Sequence, residues 1–215
     1  MALVYPLALP TRPGLKLCDF RISRRQAVAR PGSGAVQSLE LADPLWAVNA
    51  ETAVLKPAER GVWRAFFDAL RGGSKTFLMY DTSRPYPLAY AEGFAGLVIA
   101  GTATPYVGAG LLTNVSGTTL TISQLPTGFV ISPGDYVGVP TATPRAVFRA
   151  SVNGAIASNL GVAVVDVEPV PPQDLAGPVT FVRPSCVMRL VPGTESAPAD
   201  AAGAPAVFQA IQDLR

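Results

Sequence analysis

Pairs of carboxylates come closest to a catalytic set in this sequence. Asp81 with Glu92, or Asp135 with Asp166, would supply the two acids that glycoside hydrolysis requires. Such a pair must converge in one pocket, with the pKa of at least one group raised. Asp135, however, stands in a Ser-Pro-Gly-Asp turn, where a carboxylate commonly accepts hydrogen bonds from nearby backbone N–H groups. We therefore assign no catalytic residue.

Other kinds of reactive site lack their usual residues. The 215 residues include no histidine, so the only side chain that titrates unperturbed near neutral pH is missing. The usual nucleophile, phosphate, dinucleotide, zinc and calcium motifs are also absent. Cys18 and Cys186 have no metal-site spacing and are expected to be two separate core residues, unless the first and last strands bring them together. The sequence predicts no enzyme, no metal and no cofactor.

Two groups of residues could bind a ligand instead. The face of a small β-barrel can bind sugars or single-stranded nucleic acid, but aromatic residues on strands more commonly lie in the interior. The basic residues near the N-terminus, with Asp19 as the only acid among them, could contact a phosphate backbone or an acidic neighbouring subunit; we favour solvated or interface positions. The barrel candidates are Tyr106, Phe129, Tyr136, Phe148, Arg145 and Arg149, and the basic residues are Arg12, Lys16, Arg21, Arg24, Arg25 and Arg30.

The composition favours a protein that works in an assembly. Hydrophobic residues make up 49% of the chain and charged residues only 15%. A folded chain so poor in charge commonly hides surface against partners. The net charge of +2 gives no strong attraction to nucleic acid or to an anionic membrane. No segment is long and apolar enough to span a membrane, and the two cysteines fit folding in a reducing cytoplasm.

The first part of the chain predicts a β-sandwich with one packed helix. Residues 36–41 and 45–54 alternate with a period of two, which is typical of strands. Residues 57–71 predict a helix, because Pro57 suits its first turn, an apolar stripe runs along one side and Gly72 can end it. Residues 76–81 predict the strand that returns from this helix.

The rest of the chain predicts an inserted small β-barrel and a tail. Residues 93–175 are expected to form a five-stranded, OB-like barrel, with turns at 115–117, 132–135 and Asn153-Gly154. A last strand, residues 179–182 through 186–190, would rejoin the first sheet. The predicted units are residues 1–92 plus 176–191 for the sandwich, 93–175 for the barrel, and 192–215 for a flexible tail with a short helix at 206–214.

The order of these elements resembles a known family. The opening Leu3-Val4-Tyr5-Pro6-Leu7, the stretch from Leu45-Trp46 through residues 63–72 to 76–81, and Ile131-Ser132-Pro133-Gly134-Asp135 are similar to the tail-tip proteins of long-tailed bacteriophages, in particular distal tail proteins. The resemblance covers most of the chain as an order of elements and residues 45–81 closely.

The resemblance implies a structural role. It implies a belt domain carrying an inserted barrel, with six copies in a ring between the tail tube and the hub or fibre proteins, in a virion assembled in the host cytoplasm. It implies no catalysis, no cofactor, no membrane and no specific nucleic acid. Some members carry a large C-terminal carbohydrate-binding-like domain that this chain lacks. The alternative is a carbohydrate- or receptor-binding module of a phage tail or a similar particle.

Overall fold

The computed structural model describes residues 3–30, 34, 36–142, 145–198 and 203–214. Within these ranges the chain is mainly β, with one α-helix and a 3-10 turn at Leu88–Tyr90. The helix is α1 (Pro57–Leu70), and the strands are β1 (Leu7–Ala8), β2 (Leu15–Ala29), β3 (Gln37–Thr52), β4 (Thr76–Met79), β5 (Ala109–Ser116), β6 (Thr119–Ser123), β7 (Val130–Ile131), β8 (Tyr136–Val139), β9 (Ala146–Ala150), β10 (Ala155–Ile156), β11 (Ala163–Glu168), β12 (Gly177–Thr180), β13 (Cys186–Leu190) and β14 (Val207–Gln212).

Six strands form one sheet in the order β1-β4-β13-β14-β3-β2, with only the β1–β4 pair parallel. The predicted alternation is confirmed in β3, where Trp46, Val48, Ala50 and Thr52 are buried and the residues between them are partly exposed. The predicted strands at 36–41 and 45–54 are one continuous strand, because β2 pairs along nearly all of its length. One face of the sheet therefore carries the core.

Helix α1 covers part of that face. Its four buried residues are Trp63, Phe66, Phe67 and Leu70, and each is expected to contribute roughly 1.5–3 kcal/mol by burial. The Lys56 N–H donates to Glu59 Oε2 at 2.8 Å and closes the first turn. Arg71 then ends the helix in the left-handed conformation, with φ of 50°. The predicted helix is confirmed.

The middle of the chain forms a closed barrel in the order β11-β6-β5-β12-β8-β9. Leu120, Ile122, Val137, Val139 and Phe181 are fully buried in its core. The predicted class, mainly β with one helix and a small barrel, is confirmed. The predicted sandwich takes the form of one sheet whose inner face packs on α1 and on barrel residues such as Tyr136.

The predicted C-terminal helix is wrong. Residues 207–212 form β14, which lies between β13 and β3. Phe208 and Ala210 are buried, and the Phe208 ring contacts Trp63, Phe67 and Phe77. Val207, Ile211 and Leu214 also fit helical spacing, but pairing on both sides of a central strand satisfies the backbone of this segment. Tertiary contacts therefore decided that these residues form a strand and not a helix.

The barrel ends later than predicted, and the tail is held in place. Strand β12 pairs with β5 and β8, so residues 177–180 belong to a barrel of six strands rather than five, and only β13 returns to the sheet. In the tail, Ser196 pairs with Val207, and the Arg64 side chain donates to the Ala197 carbonyl at 3.0 Å. Residues 199–202 and Arg215 of the predicted flexible tail lie outside the described residues.

The Asn153-Gly154 turn generates a stability prediction. Gly154 has φ of +58°, and a Cβ there would lie 2.5 Å from the Ile131 carbonyl oxygen. Gly117 has φ of +60° with no atom within 4 Å of a Cβ. Both Gly→Ala changes incur a backbone cost of about 1 kcal/mol, and Gly154→Ala should lose roughly 1–3 kcal/mol more because of the clash. Urea denaturation measures both; equal losses would contradict the prediction.

Candidate interaction surfaces

The candidate catalytic carboxylates Asp81, Asp135 and Asp166 accept hydrogen bonds from different donors. Asp81 Oδ1 accepts from the Ser83 N–H at 2.9 Å, and its Oδ2 accepts from the Tyr136 hydroxyl at 3.0 Å. Asp166 accepts from the Thr119 hydroxyl at 2.6 Å, on the barrel. Glu92 is exposed. The buried Asp81 and the half-buried Asp166 are therefore each engaged by structural donors.

Asp135 has the structural role expected from its turn. Its carboxylate accepts from the Leu88 N–H at 2.9 Å and from the Ser132 N–H at 2.7 Å. Burial raises the pKa of Asp135, while these two hydrogen bonds and the nearby Arg84 oppose the shift. The carboxylate ties the turn before β8 to the 3-10 turn, and it acts as an internal brace rather than as an open acid.

The cysteines and the metal-binding residue types give no second kind of site. Cys18 and Cys186 are both free, as expected, and burial raises the pKa of Cys186 to about 12. Burial also raises the pKa of Cys18. Within the described ranges, no group of three or more Cys, Asp or Glu residues is arranged to hold a metal ion.

The barrel is locked to the sheet around Trp46. The Trp46 indole N–H donates to the Val147 carbonyl at 2.8 Å, and the Phe20 ring stacks on Trp46 at 4.7 Å. Tyr136 meets both rings edge-on. Arg149 lies over the Trp46 ring at 5.6 Å. This junction explains why Tyr136 and Arg149, which are candidates for a binding face, face the sheet instead.

Two of the remaining aromatic candidates, Tyr106 and Phe129, pack on each other. Phe129 and Phe148 are buried, and Tyr106 is only 4% exposed. Tyr90 stacks on Phe129 at 4.6 Å, and Phe94 packs edge-on against Tyr106. All Phe, Trp and Tyr residues of the sequence lie within the described ranges, and none of them is classed as exposed. The described surface therefore offers no exposed aromatic ring on which a sugar or a base could stack.

A two-stranded ribbon extends past the rest of the sheet. We call the segments 23–30 and 36–43, from the outer ends of β2 and β3, the arm; every one of these residues is exposed. The pairing of β2 with β3 continues as far as Ala29 opposite Gln37. At the rise of a β-strand, Ala29 lies about 20–25 Å from Ser23. Val28, Leu39 and Leu41 on the arm are 61%, 66% and 59% exposed. An isolated two-stranded ribbon is marginal in water, so the arm is a surface that favours a partner.

A groove of about 630 Å³ lies between the base of the arm and the barrel. At its wall, Arg24 donates to Glu40 at 3.0 Å and to Glu168 of the barrel at 2.6 Å. The hydrogen bond to Glu168 is the main cause of the raised pKa of Arg24. Because these side chains are about 36–41% exposed, each ion pair adds no more than about 1 kcal/mol. The groove is also lined by Asp43, Arg145, Val170, Asp174 and Leu214.

The predicted basic segment is only partly gathered into one site. Arg21 pairs with Asp19 at 3.4 Å, and Arg24 is held by its two glutamates. Arg25 and Arg30 lie on the arm, and for neither is a partner found among the described residues. Arg12 and Lys16 lie at the start of the chain, before the arm. No continuous track for a phosphate backbone results.

The arm and the groove were not foreseen from the sequence. In the sequence, Leu39 and Leu41 have the spacing of core-facing residues of a strand. In the structure they are exposed, because they lie in the arm, past the end of the sheet. Asp43 and Asp174 are far apart in the chain, and the fold brings them to one groove. The unbroken 16-residue length of β3, matched by the 15 residues of β2 but not by the 6 residues of β14 on its other side, is the signal that could have indicated the arm.

No protein-family model matches this chain, and no curated protein shows significant sequence similarity to it. Within the described residues, no helix is both long and apolar enough to cross a membrane.

The junction generates a prediction based on two tyrosines. Tyr136→Phe removes a donor from buried Asp81 and should lower the free energy of unfolding by roughly 1–3 kcal/mol. Tyr106→Phe is the matched control, since the Tyr106 hydroxyl is buried with no hydrogen-bond partner in the described structure. That change should be neutral or stabilising. Chemical denaturation of both variants checks this; a similar loss in each would show that the Asp81 contact is unimportant.

Proposed function

We propose that this chain is a structural subunit of a bacteriophage tail tip, of the distal tail protein type, which assembles into a ring of six copies joining the tail tube to the hub or fibre proteins. The observation that carries the assembly is the arm, whose residues are exposed on both faces in a single chain. The identity of the particle rests on the sequence resemblance.

The open surfaces of the sheet support an assembly role. Strand β2 is 15 residues long and lies at the sheet edge, so one side of its backbone is unpaired within the described chain. Long unprotected edges invite pairing with another chain, and proteins that keep them commonly use them in assembly. On the outer face of the same sheet, Leu17, Val207 and Ile211 are 51%, 37% and 38% exposed. A chain with only 15% charged residues gains by covering such surfaces.

The hydrogen bonding of the buried acids is compatible with this role. Asp81 lines a small pocket of about 390 Å³, but its carboxylate is held by Ser83 and Tyr136, and Asp135 ties two turns together. The hydrogen bond from Tyr136 to Asp81 joins the barrel to the sheet, which suits a subunit that transmits position between neighbours.

The alternative, a carbohydrate- or receptor-binding module, has less support. Sugar binding commonly relies on an exposed aromatic ring. In this chain the aromatic rings pack inside the protein. The groove beside the arm includes one aromatic candidate in its lining, Phe148, which is only 3% exposed, and the other lining side chains are mainly aliphatic and charged. We therefore favour a protein partner.

The ring is tested on the purified chain. Light scattering at several concentrations should give a particle of about six times the 22.4 kDa chain mass, and negative-stain images of the same sample should show closed rings. A strict monomer at all concentrations would count against self-assembly, and glycan-array binding by that monomer would favour the alternative.

The role of the arm is tested by removing it. Ser23 faces Leu45 across the hairpin, so residues 24–44 can be replaced by Asn-Gly, which forms a tight turn. The shortened chain should keep its β-rich circular dichroism spectrum and cooperative unfolding, but it should be monomeric. Val152→Ser with Leu160→Ser, at two barrel residues that are 86% and 85% exposed, is the matched control and should still assemble. Rings formed by the armless chain would contradict the role given to the arm.

A further inference from the structure

We infer that the arm of one copy binds in the groove beside the arm of a second copy. This inference rests on the proposed ring and names its principal contact. A single chain presents the arm and the groove as two different surfaces, so the contact is of the head-to-tail kind that generates rings. A copy cannot fill its own groove with its own arm, because Arg24 at the base of the arm is bound to Glu168 in the groove wall.

Charge complementarity identifies the occupant. On the arm, Arg25 and Arg30 are exposed, and neither has an ion-pair partner among the described residues. Of the two acids on the arm, Glu40 is neutralised by Arg24, and Asp43 lies at the base of the arm, where it lines the groove. In the groove, Asp43 and Asp174 are exposed acids, likewise without a partner in the described chain. Two unpaired cations on one surface therefore match two unpaired anions on the other.

Apolar surface matches in the same way. The arm presents Val28, Leu39 and Leu41, and the groove presents Val170 and Leu214, which are 57% and 50% exposed. Each of these residues is at least half exposed in the single chain, and contact between the two sets would remove their side chains from water. The half-buried Arg145 lies at the groove wall, where its guanidinium can donate hydrogen bonds to backbone carbonyl groups of an incoming ribbon.

The dimensions are compatible. The arm reaches about 20–25 Å beyond the body at strand spacing, enough to cross from one subunit to the next. The two strands of the arm are already paired in the single chain, so their backbone needs little further ordering when the arm binds. The rigid junction at Trp46 fixes the angle between the arm and the groove of one chain, and this angle sets the curvature of the ring.

The first experiment maps the contact directly. A photo-crosslinking residue, p-benzoyl-phenylalanine, replaces Leu39, and the variant is mixed with an isotope-labelled wild-type chain before irradiation. Mass spectrometry should place the crosslinks between chains, at residues 168–176 or near Leu214. The same group in place of Val152 is the control and should not label the groove. Inter-chain crosslinks from position 39 to any other region would overturn the inference.

The second experiment exchanges the charges. The variant R25E/R30E and the variant D43R/D174R should each shift assembly to about ten-fold or higher protein concentration, because two attractive pairs become repulsive. A chain carrying all four changes, or an equimolar mixture of the two variants, should recover assembly. The control R12E/E92R alters exposed charges outside the arm and groove and should assemble like the wild type.

The outcomes separate the inference from the proposed function. Rings that persist in both charge variants, or that fail to recover in the four-fold variant, would overturn the arm-in-groove contact and leave the ring itself standing. A wild-type chain that remains monomeric at every concentration would overturn both. Recovery in the mixture, together with position-39 crosslinks to the groove, establishes the contact.

Discussion

The packing of Trp46 between Phe20, Tyr136 and the Val147 carbonyl is the interaction on which the rest of the molecule depends. Trp46 is fully buried, so its indole N–H must find a hydrogen-bond acceptor inside the protein, and the acceptor comes from the barrel. The hydrogen bond to Asp81 and the Arg24–Glu168 ion pair reinforce the same boundary. Because these contacts join sheet and barrel side by side, the arm and the groove keep a fixed relation.

The polar interior of the protein serves this rigidity. Asp81 and Asp135 are buried carboxylates, and an ionised carboxylate is tolerated away from water only when donors compensate it. Backbone N–H groups of short turns supply most of these donors, so the acids fix loops rather than activate water. The same residue type at the surface, as with Asp43 and Asp174, has no such compensation and remains available to a partner.

The arm has a different energetic status from the body. From Trp46 to Thr52, β3 is flanked by β14 and β2 and faces the core. In the arm, which precedes Leu45 in β3, the described chain supplies neither a third strand nor a covering layer. Its backbone pairing is retained, but its apolar side chains gain nothing from the chain that carries them. Such a segment is suited to form one side of an interface between chains. The low proportion of charged residues in the whole chain also favours an interface.

The sequence alone determined the β-rich class, the bounds of α1, the inward residues of β3 and the principal turns, because these follow from local periodicity and turn chemistry. It also indicated that the Asp135 turn is structural. It misread residues 206–214, since Val207, Ile211 and Leu214 fit a helix as well as Phe208 and Ala210 fit a strand. Only the tertiary structure decided that β14 fills the centre of the sheet, that β12 closes the barrel, and that Asp43 and Asp174 share a groove beside the arm. The physical reason is that pairing and burial between distant segments are not encoded in any local pattern.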